Sequence, residues 1–231
     1  MPSTHSKETM IQLASATLPV TLGQNPDRWK LGVKRLLDLG VSAGLLLTAL
    51  PLLPMICVVI KLDSPGPLIF SHDRIGMGGQ PFRFYKFRTM IHHSAALAQW
   101  VAAAGDDLQT EQEIFYKLRN DPRVTKVGKW LRKTSLDELP QLVNVLKGEM
   151  SLVGPRPIVP EEIARYGMDF GDYVTVRPGI TGLWQVSGRN QLTYPQRVAL
   201  NQQYIRNWSL WLDLTILWRT VGAVLSRRGA Y

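Results

Sequence analysis

The chain has 231 residues, of which 45% are hydrophobic, so it can bury one compact core but is too short for two full domains with a tail. Its 27 Lys and Arg outnumber its 18 Asp and Glu, and the resulting formal charge of +9 calls for an anionic partner. Nucleic acid, a negatively charged membrane face and phosphorylated small molecules all meet that condition. The single cysteine excludes an internal disulfide, as is usual for a domain in a reducing compartment.

A long apolar segment follows a polar start. Residues 1–27 lack the continuous apolar core of a signal peptide and are predicted to form a flexible N-terminal arm. Leu39–Ile60 then contains 22 residues without a formal charge. As a straight helix it would be about 33 Å long, enough to cross a hydrocarbon core of about 30 Å. A buried helix of a soluble domain is the alternative, but such helices rarely run this long without a polar face.

Two prolines interrupt the apolar segment near its middle. Pro51 and Pro54 remove the amide donors that would bond the carbonyls of Leu47 and Leu50, so a helix here must bend or find other partners. Basic residues, which prefer the cytoplasmic side of a membrane, flank both ends of the segment: Arg28, Lys30, Lys34, Arg35 and Lys61. Residues 28–62 are therefore predicted to form a basic flank and a re-entrant membrane hairpin, and a kinked single span is the alternative.

Residues 63–231 have the composition of a globular domain. Pro67–Ser71 and Pro81–Phe87 are predicted strands of a small β-hairpin around the glycine-rich turn Gly76–Gly79. Helices are predicted over residues 91–104, 108–119, 135–147, 193–207 and 209–226. The predicted fold class is therefore α+β and mostly helical.

The last predicted helix carries a broad apolar face. Its members are Trp211, Leu214, Leu217, Trp218, Val221 and Leu225. Asp213 and Arg219 argue against a second membrane span. The apolar face fits either the bilayer interface or the core of the domain, and we predict an interfacial C-terminal helix.

Two adjacent carboxylates, Asp137 and Glu138, stand where a helix is predicted to begin. With Ser135 as N-cap and Glu138 three residues later, the local pattern alone favours a capping box. A helix N-terminus also offers free amides to a phosphate and keeps Asp137 ionised, as an attacking carboxylate must be. Mg²⁺ beside the pair would neutralise a diphosphate. The structural and the catalytic interpretation are compatible with each other.

Basic residues recur in stiff sequence contexts on either side of the acidic pair: Lys86, Arg88, Arg132, Arg156 and Arg177. Lys86 and Arg88 are two residues apart, which on a strand would place them on the same side. Arg156 and Arg177 stand beside proline and glycine, a rigid mounting suited to bidentate phosphate contacts. Each residue alone is more typical of a solvated surface charge, and the five together are as compatible with a phosphate site as with solvated surface charges.

Several long segments, in this order, resemble the monotopic phosphoglycosyl transferases, the bacterial sugar transferase family. The similarity runs from about Lys34 to the C-terminus. Its motifs are Lys86–Met90, Asn120–Thr125, Leu131–Gln141, Gly148–Pro157 and Arg177–Gln185. The tail is similar to the short enzymes that start exopolysaccharide repeat units from UDP-galactose or UDP-glucose. One departure is Leu50 before Pro51, where the family often has serine, and Thr48 is the candidate to cap the bend instead.

The resemblance implies both an activity and a location. The protein would transfer a hexose 1-phosphate from a UDP-sugar to undecaprenyl phosphate, with Mg²⁺, through a catalytic domain on the cytoplasmic side of the bacterial inner membrane. Asp137 would be the nucleophile, giving a phosphosugar-enzyme intermediate and UMP, and Glu138 would assist metal binding or proton handling. The implied phosphate or nucleotide contacts are Lys86, Arg88, Arg132, Arg156, Arg177, Pro178 and Gly179. The sugar and the formation of a homo-oligomer stay open.

Two other classes of protein compete with this interpretation. A membrane-anchored nucleic-acid-binding module would use the same positive charge, but it predicts aromatic residues interleaved with the basic ones, and an Asp-Glu pair would repel a polyanion. A catalytically silent scaffold for polysaccharide assembly would not need Asp137 and Glu138 beside basic motifs. Nucleic acid is therefore not an expected partner, and release of UMP from a UDP-sugar separates the enzyme from both rivals.

Overall fold

A computed structural model describes residues 27–91, 123–188 and 192–225 of the chain. Apart from single terminal residues, the predicted arm over 1–27 and the helices predicted over 91–104 and 108–119 lie outside the described residues. Within these ranges the protein is mostly helical and has two small two-stranded sheets, so the predicted α+β class is confirmed.

The apolar segment forms two helices that meet at the first of the two prolines. Helix α1 (Arg28–Ala49) and helix α2 (Leu52–Asp63) are bent by 65° with respect to each other. The break falls at Leu50 and Pro51, because proline has no amide to continue the helical hydrogen bonds. No single helix among the described residues is long and apolar enough to cross a membrane, whereas α1 and α2 together pass that test by length and composition.

The predicted role of Thr48 at this bend is wrong. Its hydroxyl donates to the carbonyl of Leu45 at 3.0 Å, within α1, and α2 begins without a side-chain cap. A threonine inside a helix commonly donates its hydroxyl to a carbonyl of the preceding turn. Thr48 does so here, and its hydroxyl therefore does not cap the start of α2.

The first half of α1 is docked on the globular part of the protein. Lys34 Nζ lies 2.5 Å from Asp213 Oδ2 and 3.0 Å from the carbonyl oxygen of Val153. The Asp213 carboxylate also accepts hydrogen bonds from the Tyr204 hydroxyl at 2.7 Å and from the Trp208 indole at 3.1 Å. This buried ion pair joins α1 to a strand and to the last helix.

Two further polar side chains of α1 extend this contact. Arg35 donates to the carbonyls of Val145 and Leu146 at 2.7 and 3.0 Å. Asp38 is buried and accepts from Ser151 Oγ at 3.1 Å and from the amide of Leu152 at 3.0 Å. The basic residues predicted as membrane flanks therefore include two, Lys34 and Arg35, that serve as docking contacts.

The far end of α2 is held by the same globular part. The guanidinium of Arg88 donates to three backbone carbonyls there, Ile60 at 3.3 Å, Ser64 at 2.5 Å and Pro65 at 2.8 Å. The side chain of Asp63 accepts from the amide of Val127 at 3.2 Å. Both ends of the bent helix pair are thus fastened to one folded unit.

The predicted β-hairpin is confirmed, with a shift in its first strand. Strand β1 (Ile69–Ile75) pairs antiparallel with β2 (Pro81–Phe87), from Ile69 opposite Phe87 to Ile75 opposite Pro81. A 3₁₀ turn over Met77–Gly79 connects them, and Gly78 and Gly79 both have positive φ there. The strand begins two residues later than predicted and continues four residues past the predicted end at Ser71, through the exposed Asp73 and the partly buried Arg74 to the buried Ile75.

The remaining described elements are short except for the last two helices. They are α3 (Lys126–Thr134), α4 (Gln141–Lys147), β3 (Ser151–Val153), α5 (Ile163–Tyr166), α6 (Phe170–Tyr173), β4 (Gly179–Thr181), α7 (Leu183–Val186), α8 (Tyr194–Arg206) and α9 (Leu210–Leu225), with 3₁₀ turns at Leu136–Glu138, Pro160–Glu162 and Gly167–Asp169. Strands β3 and β4 pair in parallel, which the sequence did not reveal. The prediction for α8 and α9 is confirmed within a residue or two.

Helix α9 packs on the core of the domain with one side and exposes large apolar residues on the other. Ile216 is fully buried against Leu142, Leu152 and Val153, so one side of the helix belongs to the core. The opposite side exposes a row of large apolar residues: Trp211 (77% exposed), Leu214, Trp218 (79%) and Val221. A helix with this division can pack against the protein and present a second apolar surface at the same time.

Candidate active site

The acidic pair lies in a tight turn between two helices and not at the start of one. Helix α3 ends at Thr134, and Ser135 adopts the left-handed conformation, with φ 58° and ψ 14°. Asp137 and Glu138 then occupy the 3₁₀ turn Leu136–Glu138, and the next helix, α4, begins only at Gln141.

The predicted capping box at Ser135 is therefore wrong. Its side chain makes no cap hydrogen bond; its backbone amide donates to the carbonyl of Arg132 at 3.2 Å, so Ser135 closes the preceding helix. Among the described residues Ser135 is the one non-glycine with positive φ, a conformation that costs a β-carbon-bearing residue on the order of 1 kcal/mol. The strained residue lies two positions before Asp137.

The two carboxylates share one lysine. Lys86 Nζ lies 2.7 Å from Glu138 Oε1 and 3.6 Å from Asp137 Oδ2. Lys86 reaches them from β2, which packs beside the turn. Lys86 and Glu138 are 52 positions apart in sequence, so the fold brings them together.

Asp137 is the buried member of the pair, with 5% of its surface exposed. Burial raises the pKa of Asp137 to about 6; the positive charges of Lys86 and Arg132 oppose that rise, and the negative charge of Glu138 adds to it. The Glu138 side chain is about one-third exposed. Glu138 is therefore accessible to solvent, whereas Asp137 is buried and loses its proton near pH 6.

Arg132 reaches the same turn from the last turn of α3. Its Nε donates to the Thr89 hydroxyl at 2.9 Å. The close approach of α3 to the residues after β2 depends on Gly128, because a β-carbon there would lie 2.1 Å from the carbonyl oxygen of Thr89. Glycine at this position thus allows α3, which carries Arg132, to pack closely against the residues that follow β2.

Comparison with known proteins identifies the family of this chain. The family model described as "Bacterial sugar transferase" matches residues 29–227. The chain belongs to the bacterial sugar transferase family.

Named members of the bacterial sugar transferase family are 42% to 48% identical to this chain over the matched residues. An "Undecaprenyl-phosphate galactose phosphotransferase" of Salmonella typhimurium is 48% identical over 199 residues, which are 86% of this chain and 42% of the relative. "Exopolysaccharide production protein ExoY" of Rhizobium meliloti is 46% identical over 198 residues, 86% of this chain and 88% of the relative. A "UDP-glucose:undecaprenyl-phosphate glucose-1-phosphate transferase" of Caulobacter vibrioides is 42% identical over 238 residues, 97% and 83%. The chain spans about two-fifths of the length of the first relative and most of the other two.

Arg88 lies apart from the acidic pair in this bacterial sugar transferase. Strand β2 ends at Phe87, so the two-residue alternation that would pair Lys86 with Arg88 does not continue. The Arg88 side chain is buried and donates to carbonyls at the end of α2. These contacts make it a link between the bent helix pair and the strand that carries Lys86.

The other predicted phosphate contacts lie at the joint between β3 and β4. Arg177 Nε donates to the carbonyl of Gly148 at 2.8 Å, and Pro178 and Gly179 are buried and engage the backbone of β3 and the loop after it. A β-carbon on Gly179 would lie 2.1 Å from the amide nitrogen of Gly154, so this position requires glycine. Arg156 stands on the exposed side of the same loop, with its guanidinium 6.0 Å from the centre of the Trp184 ring.

The sequence did not single out two arginines that face these positions. Arg74, in β1, packs its guanidinium 5.3 Å from the Phe84 ring, and Lys86 Nζ lies 5.7 Å from the same ring. Arg197, in α8, packs 5.2 Å from the ring of Trp184. Arg74 stands in a strand and Arg197 in a helix, outside the Pro/Gly motifs, so nothing in the local pattern distinguished them from surface charges.

The acidic pair fits the ligand chemistry of Mg²⁺. The described residues contain no group of three or more His, Cys, Asp or Glu side chains arranged around a metal position. Magnesium bound beside a diphosphate needs only one or two carboxylates, since phosphate oxygens and water complete its shell. Asp137 and Glu138, adjacent and close to basic side chains, meet that smaller demand.

Proposed function

We propose that this protein is a phosphoglycosyl transferase that moves a hexose 1-phosphate from a UDP-sugar to undecaprenyl phosphate and releases UMP, as the first membrane step of exopolysaccharide synthesis. The observation that carries the proposal is Asp137, a buried carboxylate with a pKa of about 6 beside Glu138 and Lys86. The relatives support the substrates, because their names include undecaprenyl phosphate and both galactose and glucose.

The proposed reaction has two steps. An oxygen of ionised Asp137 attacks the sugar-bearing phosphorus, the bond to the UMP oxygen breaks, and UMP leaves. A phosphate oxygen of undecaprenyl phosphate then attacks the same phosphorus, and the bond to Asp137 breaks to restore the carboxylate. The ammonium group of Lys86, 3.6 Å from Asp137 Oδ2, would stabilise negative charge on the phosphate oxygens next to the attacking oxygen. Glu138, nearer to solvent, is placed to take up a proton or to hold the metal.

Magnesium belongs to the proposal as a cofactor held by Asp137 and Glu138 together with the diphosphate. Bound there, it would neutralise phosphate charge and lower the repulsion between the donor and a carboxylate. A nearby dication also favours the ionised form of Asp137, against the burial that raises its pKa.

We also propose that α1 and α2 form a re-entrant segment, with the globular part on the cytoplasmic face of the inner membrane. Both ends of the segment support this topology, because α1 is docked through Lys34 and α2 is held by Arg88 to the same folded unit. Helix α2, with 12 residues, is about 18 Å long, short of the roughly 30 Å of a hydrocarbon core. UDP-sugars are supplied on the cytoplasmic side. Basic residues such as Lys61 are also enriched on that side of membrane segments.

The function is tested with the purified full chain, Mg²⁺, undecaprenyl phosphate and a panel of UDP-sugars. UMP release from UDP-galactose or UDP-glucose is expected, and the panel identifies the sugar. With a UDP-sugar and no acceptor, intact-mass measurement should show a gain of one phosphosugar per chain. Absence of UMP release from every sugar refutes the proposed activity. Release that requires the acceptor, with no adduct, indicates direct transfer instead.

The topology is tested by thiol labelling in a Cys57→Ala background. Asp27→Cys and Pro67→Cys place single thiols at exposed positions just outside the two ends of the segment. An impermeant reagent added to intact cells should label neither thiol, and the same reagent after lysis should label both. Labelling of position 27 alone in intact cells would mean that the segment crosses the bilayer once.

A further inference from the structure

A groove with apolar walls lies where α2 meets α3. Its volume is about 380 Å³, within the range of roughly 300–1,000 Å³ that is typical of sites for small organic ligands. The groove is lined by Met55, Ile56, Val59, Lys126, Val127 and Trp130. Lys126 is the one charged residue among these six, so the α2–α3 groove offers a ligand mainly a carbon surface.

Two walls of the α2–α3 groove are exposed, although they are large apolar side chains. Met55 is 55% exposed and Trp130 is 46% exposed. Exposed apolar walls around a concave surface mark a place where another apolar molecule binds. Met55 belongs to α2, which is part of the proposed re-entrant segment, so the molecule that reaches this wall comes from the membrane.

The outer face of α3 has the composition of a surface at the lipid headgroups. Lys126, Lys129 and Lys133 follow one another at helical spacings of three and four residues, and all three are exposed. None of them forms an ion pair with another residue of the described ranges. Trp130 stands among them, and tryptophan and lysine are both enriched where headgroups meet hydrocarbon. The groove therefore lies at the level where a lipid chain begins.

The α2–α3 groove and the acidic pair border the same small apolar cluster. Leu136 and Leu139, on either side of the acidic pair, pack against the cluster that contains Ile56, and Ile56 also lines the groove. The Cα atoms of Trp130 and Asp137 are at most about 18 Å apart, because four of the seven steps between them follow α3. A ligand that occupies both places needs only this reach.

The lipid acceptor of the proposed reaction has that reach. Its phosphate must come to Asp137 in the second step, so its chain begins there and has to pass into the bilayer. An extended polyprenyl chain is much longer than the distance from Asp137 to the groove. An acyl chain of a phospholipid would bury similar apolar surface in the groove, but no reaction at Asp137 fixes the position of its headgroup.

We propose that the α2–α3 groove binds the part of the acceptor's polyprenyl chain nearest the phosphate, while the phosphate lies at Asp137. The inference rests on the proposed function for the identity of the lipid, and it assigns residues of α2 and α3 to the acceptor site. Burial of apolar surface supplies the affinity of this groove, so it recognises the chain and not the phosphate.

The first test labels the groove without turnover. The wild-type full chain in lipid nanodiscs is irradiated with a polyprenyl phosphate that carries a diazirine on an isoprene unit near the phosphate, and the labelled peptides are mapped by mass spectrometry. Labelling is expected around Met55 and around Trp130, and excess undecaprenyl phosphate should suppress it, whereas excess phosphatidylglycerol should not. Labelling confined to other segments overturns the inference. Equal suppression by phosphatidylglycerol also overturns it, because bulk lipid would then occupy the groove.

The second test fills the groove by Val59→Trp. The KM for undecaprenyl phosphate should rise by about 10-fold or more, the effect of losing the burial of about two methylene groups. The KM for the UDP-sugar, and the phosphosugar adduct formed without acceptor, should stay within about twofold of wild type, since neither involves the lipid chain. Val58→Trp is the matched control, because Val58 is the neighbouring residue, is 56% exposed and lies outside the groove. Val59→Trp protein that forms the adduct and has a normal KM for undecaprenyl phosphate overturns the inference.

An acceptor with a short chain separates chain binding from a general disturbance of the fold. A prenyl phosphate too short to reach the groove should have a higher KM with wild type than undecaprenyl phosphate has, and Val59→Trp should not raise it further. An equal rise for both acceptors would mean that the substitution acts through the structure and would overturn the inference. A wild-type protein that is labelled in the groove but releases no UMP from any UDP-sugar would refute the proposed reaction and leave the groove assigned to the lipid.

Discussion

Replacing Asp137 by asparagine is expected to abolish UMP release and, at the same time, to make the protein more stable at neutral pH. An amide is a poor nucleophile, so turnover should fall by about 10³-fold or more. The gain in stability follows from burial, which raises the pKa of Asp137 to about 6 from an ordinary value near 3.8. Because the folded protein holds the proton more tightly than the unfolded chain does, ionising Asp137 costs folding free energy.

The pH dependence of this effect has a definite sign. The cost of ionisation is absent below about pH 4, grows between about pH 4 and 6, and is complete at about pH 7. A shift of about two pH units corresponds to a cost on the order of 1–3 kcal/mol, so Asp137→Asn should raise Tm at pH 7 by several degrees but not at pH 4. Thermal unfolding with EDTA, in the same detergent, measures this without a metal contribution.

The control is Asp73→Asn, an exposed aspartate in β1 that pairs with Arg83 on the surface. Its activity and Tm should stay near wild type. Near-normal UMP release by Asp137→Asn would exclude Asp137 as the nucleophile. An equal change in Tm at both pH values would instead mean that burial does not disfavour the charge of this group. Glu138→Gln should also be severely impaired, through metal binding or proton handling.

The second large effect is expected at the ion pair that docks α1. The Lys34 and Asp213 side chains are 16% and 9% exposed, and removing one member leaves the other charged and buried. Lys34→Met should therefore destabilise the protein by about 3–5 kcal/mol. Unfolding should be followed by a signal from the globular part, such as tryptophan fluorescence, because Trp208 donates to the same carboxylate.

A matched control lies four residues earlier on the same helix. Lys30 pairs with Asp27 at 2.7 Å, but both side chains are about half exposed, so Lys30→Met should cost less than about 1 kcal/mol. The double variant Lys34→Met/Asp213→Asn should lose clearly less stability than the sum of the two single variants. Equal losses for Lys30→Met and Lys34→Met, or full additivity of the double variant, would show that the pair is not coupled.

The sequence predicted structure best at residues whose chemistry acts locally, whatever the rest of the fold. Pro51 lacks an amide, so a break there could be predicted, and the 65° bend is found at that position. Likewise, Asp137 and Glu138 stood out because they are adjacent carboxylates at a predicted helix start with basic motifs on either side in the sequence, and the structure places Lys86 against both of them. These inferences needed no knowledge of the tertiary arrangement.

The sequence was least informative where a residue's partner is distant. Ser135 matches a capping pattern, but the packing of α3 makes it a helix end with positive φ. Arg88 lies in a basic motif, yet the nearest acceptors are the carbonyls at the end of α2, which the folded chain brings against it. Arg197 has no local signal at all, because it meets the Trp184 ring only once α8 packs beside α7.

The shortness of α2 bears on which lipids the protein tolerates. A helix that runs from one headgroup region to the other must tilt, or deform the bilayer, when the membrane is thicker or thinner than its apolar length. A segment that turns back at Pro51, about 18 Å from its anchored end, touches only one leaflet deeply and has no second headgroup region to reach. Acyl-chain length should therefore matter little to how deeply the proposed re-entrant segment inserts. Headgroup charge on the facing leaflet should matter more, since the positively charged Lys61 lies in the last turn of α2, at its anchored end.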